Sequence, residues 1–200
     1  MFYRRKLPHW HPDISEATFL FVTFRLAGSI PPTRRLESHT GSDRSSGQNF
    51  LALDRLADKG ACGPLWLRDL RVASVVANAL LHGETGRLFY QLRAWVVMPN
   101  YVHVLLRPKT PLPVIMRWLK GSTARQANLI LGRTGKAFWQ DESFDHRVRD
   151  EVELERIARY VENNPVTAGL AANPAEWPWS SARLAGGSAC PTIGRNLCQM

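Results

Sequence analysis

The order of elements along the chain predicts an α+β domain of the split βαβ kind, with an antiparallel sheet and helices packed on one face. Short runs rich in aromatic and β-branched residues alternate with longer stretches of helical periodicity. Two of the short runs meet at Pro99-Asn100, a turn pair. Two hundred residues with 44% hydrophobic content are enough for one compact domain with a real core, and not for two large ones. The expected boundaries are a basic, aromatic lead-in over 1–17, a single domain over 18–182 with a mobile loop at 33–48, and a flexible tail over 183–200.

Thr18 to Leu26 is aromatic and β-branched and is bounded by Gly28 and Pro31-Pro32, which reads as a strand. From Thr33 to Gln48 the chain is rich in Ser, Arg, Gly and Asp without apolar periodicity. Phe50 to Lys59 reads as a short helix ended by Gly60. Asp69 is placed to cap a second, in which Val72, Val75, Val76, Ala79 and Leu80 recur at helical spacing until Gly83. Leu88 to Val97 and Val102 to Leu106 read as strands. A helix follows from about Pro113, with Ile115, Leu119, Ala127 and Ile130 among its apolar positions, closing at Gly132. Phe138-Trp139 and Phe144 to Val148 suggest extended or irregular structure. A last helix runs from Asp150, with Glu151 and Glu153 in its first turn, to Asn163 or Asn164 ahead of Pro165.

The formal charge of +9 favours a polyanionic partner over a merely solvated basic surface. Between Arg107 and Arg149 nine basic residues face three acidic ones, so this stretch carries most of the excess. Cys62, Cys190 and Cys198 are far apart and odd in number, with no CxxC pair, which suggests neither a disulfide framework nor a cysteine zinc site. A reducing, cytoplasmic setting is expected. No apolar run approaches the roughly 18 residues of a membrane span, so no membrane partner is expected.

On a strand, successive side chains point to opposite faces, so Tyr101 and His103 project from one face while Val102 enters the layer behind. Two imidazoles at that spacing would make half of a divalent-metal site, but the first position carries a phenol. On the last helix, Tyr160 and Asn164 are four residues apart and share a face. A tyrosine oxygen can attack a phosphodiester and hold one end of the cut strand covalently, while a divalent cation neutralises charge developing on the phosphoryl oxygens.

These residues carry a family resemblance. Pro99-Asn100-Tyr101-Val102-His103-Val104-Leu105-Leu106, Trp118 to Arg125, Trp139-Gln140, Phe144-Asp145-His146, Arg159 to Val166, Ala168-Gly169-Leu170 and Trp177 to Ser181 follow one another in an order that resembles the REP-associated tyrosine transposases. These are single-tyrosine members of the HUH superfamily, named for histidine, hydrophobic residue, histidine. The resemblance runs from about Phe19 to Ser181 and is least distinctive over 33–87. It implies a ferredoxin-like domain that nicks and rejoins single-stranded or hairpin DNA of the REP type, with Tyr160 as the nucleophile of a 5′-phosphotyrosine intermediate. His103 corresponds to the second histidine of the motif and Asn164 to the polar metal ligand on the tyrosine helix, around Mg²⁺ or Mn²⁺. Tyr101 stands where the first histidine belongs.

A neutral phenol with pKa of about 10 is a poorer ligand for such a cation than imidazole. Three outcomes stay open on the sequence: a weakened enzyme, a catalytically silent protein that binds DNA hairpins, or a site ligated by Tyr101 as phenolate. Arg4, Arg5, Lys120, Arg125 and Arg147 are the candidate DNA contacts. Trp118, Trp139, Trp177 and Trp179 stack on unpaired bases or belong to the core, with Trp177-Pro178-Trp179 placed to pin the C-terminal segment. His146 is either a hydrogen-bonding strut or a third imidazole. The expected assembly is a monomer or weak dimer associated with the nucleoid.

Overall fold

The computed structural model describes residues 18–29 and 63–185. The lead-in, the 33–48 loop, the Phe50 to Lys59 helix, the tail beyond 185 and the candidate contacts Arg4 and Arg5 lie outside the described residues.

Four strands form one antiparallel sheet: β1 (Leu20–Leu26), β2 (Tyr90–Val97), β3 (Tyr101–Pro108) and β4 (Trp139–Arg147). They lie in the order β2-β3-β1-β4. Helix α1 (Leu70–Thr85) connects β1 to the hairpin β2-β3, and α2 (Leu112–Ile130) connects β3 to β4. The layout is the expected split βαβ pair. Helix α3 (Glu151–Thr167) follows β4, and a short α4 (Ser181–Ala185) closes the described chain.

Both central strands are buried on both faces. Leu20, Val22, Phe24 and Leu26 of β1 and Val102, Val104 and Leu106 of β3 form one core with α1 and α2, through Val72, Val76, Leu80, Ile115 and Leu119 among others. Phe21 of β1 and Tyr101 and Leu105 of β3 form a second core with Leu154, Ala158 and Val161 of α3. The expectation of helices on one face therefore holds for α1 and α2 and needs correction for α3, which covers the opposite face. The physical reason lies in β1 and β3: neither alternates apolar with charged residues as a sheet with one solvated face does, so the second face requires its own cover. A bulge at Arg93 reverses the parity of β2, placing Leu92 against the first core and Ala94 and Val96 in the second.

The C-terminal segment covers part of the outer edge of β2. Val97 N donates to Trp179 O at 2.8 Å, Trp177 Nε1 donates to Val97 O at 3.0 Å, and Val96 bridges Ser180. The tryptophans thus pin this segment to the sheet, and Trp139 is a core residue whose Nε1 donates to Thr123 Oγ1 at 2.8 Å.

Helix α3 runs three residues beyond Asn164, through Pro165. Its stop is Gly169, at φ 70°, with Leu170 N donating to Pro165 O at 2.8 Å and Gly169 N to Val166 O at 3.0 Å. This pair of reversed bonds is a Schellman closure, and the left-handed position it needs is one that glycine fills without steric cost.

Candidate functional site

The second core is where the sequence-predicted chemistry converges. Tyr101 and His103 leave β3 on the side facing α3, and both are fully buried. Asn164, on the α3 face turned toward the sheet, is also buried, and Tyr101 Oη donates a 2.7 Å hydrogen bond to its Oδ1. Tyr160, one turn earlier on α3, is half-buried. Its ring lies 5.7 Å from the His103 imidazole and 6.2 Å from Phe21, edge-on to the latter. His103 is further flanked by the Tyr101 ring at 4.7 Å and by Phe21 at 5.2 Å. Its Nδ1 is hydrogen bonded to Thr23 Oγ1 at 2.7 Å.

Thr23 and Phe21 are site residues that reading the chain missed. Their signal was present in β1, where Thr23 and Arg25 interrupt an otherwise apolar strand at every second position on the face shared with His103. Arg156 and Arg159 were missed as well. With Tyr160, Asn163, Thr167 and Pro174 they line a surface hollow on the outer side of α3.

The donor set does not fit a divalent cation. Asn164 Oδ1, the oxygen that would ligate, accepts the proton of Tyr101; the phenol enters the site as a donor; and one nitrogen of His103 is held by Thr23. Among the described residues no cluster of three or more His, Cys, Asp or Glu is arranged to hold a metal. Hard cations such as Mg²⁺ require several oxygen ligands in near-ideal geometry, and here the Asn164 amide oxygen and the Thr23 hydroxyl are already engaged with neighbouring side chains.

His146 is a strut. Its Nε2 lies 3.3 Å from Glu153 Oε1. Glu153 also accepts from Arg149 N at 2.8 Å and Arg156 Nη2 at 3.1 Å, while Asp150 Oδ1 caps the helix by accepting from Glu153 N at 2.8 Å. Burial opposes charge on Glu153, but the Arg149 amide together with His146 and the Arg149 guanidinium outweighs it and holds the carboxyl below its usual range.

Of the described candidate DNA contacts, Lys120 and Arg125 lie apart from Tyr160. Lys120 and Arg125 belong to α2, across the sheet from α3. Lys120 Nζ donates to the backbone oxygens of Gln140, Asp141 and Glu142 at 2.9, 3.1 and 3.3 Å, tying α2 to β4. Burial pushes its pKa down to about 8, against the pull of Asp141 and Glu142. It is engaged as a structural bolt and is not presented to a phosphate. Arg125 and Arg147 are exposed.

Residues 76–164 match the family described as Transposase IS200 like. This span includes Tyr101, His103, Tyr160 and Asn164. Over this span the chain is similar to IS200-like transposases. The chain is also 25% identical over 110 residues to the REP-associated tyrosine transposase of Escherichia coli K12, a match covering 54% of this chain and 62% of that protein. It thus spans less than two thirds of that relative's length. In fold, the segment and its surroundings resemble a REP-associated tyrosine transposase solved bound to a REP hairpin, at a TM-score of 0.54 and 16% identity, covering 92% of this chain and 88% of the other. The resemblance read from the motifs holds, and with it the antiparallel α+β architecture.

Proposed function

We propose that this protein binds DNA hairpins of the REP kind through an IS200-like scaffold, and that metal-dependent strand cleavage at Tyr160 is silenced by Tyr101. The observation that carries the reading is the buried 2.7 Å hydrogen bond from Tyr101 Oη to Asn164 Oδ1. It occupies the amide oxygen that the family resemblance gives to a metal, and it does so with a neutral donor inside an aromatic core, where removing that bond leaves a buried acceptor unsatisfied. The hairpin partner is supported by the structural neighbour's own ligand and by the formal charge of +9. Such binding draws on counterion release and is strongly salt-sensitive.

The test is a titration of fluorescently labelled hairpin DNA with the protein, with and without a chelator. Equal affinity in both, weakening steeply with salt, is the expected result; absence of hairpin binding, or binding that needs a divalent ion, would overturn the reading.

One observation favours a second reading, in which Tyr160 still cleaves DNA. Its side chain is only half-buried, beside Arg156 and Arg159 in the outer hollow. On that reading, a covalent protein–DNA adduct forms in wild type and disappears in Tyr160→Phe.

A further inference from the structure

We propose that the outward face of α2 centred on Gly121 is the surface on which the sugar-phosphate backbone of the hairpin stem docks, with Arg117 and Arg125 taking phosphates on either side. This rests on the hairpin-binding reading and adds a location to it. Helix α2 runs for 19 residues, and Gly121 lies near its middle. Glycine is the least favourable residue for a helix interior apart from proline, so a packing reason is the first thing to seek. Among the described residues there is none: a Cβ built at Gly121 meets nothing within 4 Å. Gly83 of α1 is the opposite case, since its Cβ would run into the Tyr90 ring.

What surrounds Gly121 is charge. Arg117 and Arg125 lie one turn before and one turn after it, on the same face, and all three are exposed. Neither arginine forms an ion pair with another described residue, unlike Arg71, Arg93 and Arg156. Their Cα atoms are separated by about 12 Å along the helix axis, a length over which duplex DNA carries about seven phosphates. Lys120, the neighbouring cation, is turned away into the backbone of β4. Among the described residues, the face therefore presents a gap between two guanidinium groups that have no ion-pair partner. Glycine is the residue used where a ligand must approach a backbone closely, and arginine the one suited to phosphate oxygens. Charge complementarity selects a polyanion as the occupant.

The test measures thermal stability and hairpin affinity together for wild type, Gly121→Ala, Gly121→Leu and the double variant Arg117→Ala/Arg125→Ala. Alanine and leucine are better helix formers, so both glycine variants should melt higher, by about 3 °C. A loss of binding in them cannot then be ascribed to unfolding. Gly121→Leu should weaken hairpin binding about tenfold or more and Gly121→Ala about threefold, scaling with the bulk placed in the gap. The double arginine variant should lower the slope of log affinity against log salt by about two. Wild-type affinity and salt slope in all three variants would overturn the proposal while leaving hairpin binding intact. Failure of wild type to bind the hairpin overturns the underlying reading itself. Displacement of the DNA by an equimolar RNA hairpin of the same sequence overturns the assignment of DNA as occupant.

Discussion

Tyr101 Oη donates to the buried Asn164 Oδ1 at 2.7 Å, and on the proposed reading this bond engages the amide that the resemblance gives to a metal. Tyr101→Phe leaves Asn164 Oδ1 buried without that donor and should cost about 1 to 3 kcal/mol, readable by chemical denaturation. An unchanged midpoint would mean that the amide finds another donor. Lys120 makes a pH-dependent prediction. Its folded pKa of about 8 lies below the ordinary lysine value of about 10.5, because burial disfavours the charged form. The unfolded chain therefore binds more protons between about 8 and 10.5, and the stability penalty from Lys120 is complete below that window and is relieved as pH rises through it. Relative to Lys120→Met, wild type should gain stability across that interval in parallel denaturation curves, and a constant difference would contradict the assignment. Tyr101 stood out in the sequence because it breaks a pattern of two histidines. Its bond to Asn164 did not, since the two are 63 residues apart and only the packing of α3 on β3 joins them.

At the scale of elements, two helix glycines have opposite meanings that sequence alone does not separate. Gly83 sits where Tyr90 Oη, donating to Leu80 O at 2.8 Å, fills the space a Cβ would need. Gly83→Ala should destabilise by about 1 to 3 kcal/mol through overpacking, whereas Gly121→Ala should stabilise by up to about 1 kcal/mol through helix propensity. Urea melts of the two variants check both signs. Most element positions were legible, because capping residues and apolar periodicity act locally: Asp69 accepts from Arg71 N as an N-cap, and Asp150 from Glu153 N. The end of α3 was not. Pro165 suggested a stop, yet a proline so close to the helix end removes few bonds, and the terminator is the left-handed Gly169. The placement of α3 was illegible for a different reason, since which sheet face a helix covers depends on long-range packing.

For the molecule as a whole, the sheet separates two sets of residues that the sequence presents as one constellation. Tyr101, His103, Tyr160 and Asn164 gather under α3, while Lys120 and Arg125 lie with α2 on the far side. The first set comes together because strand and helix periodicities fix which side chains share a face. Charge counting could not divide the second set, because net charge carries no direction. The division keeps the α2 face and the α3 pocket physically distinct, so substitutions on one should leave the other unaltered. The most direct test of the central claim is formation of an SDS-stable adduct with labelled hairpin DNA in the presence of Mn²⁺. No adduct is expected with wild type, whereas Tyr101→His should form one that disappears in Tyr101→His/Tyr160→Phe. A wild-type adduct that is abolished by chelator and by Tyr160→Phe would contradict it.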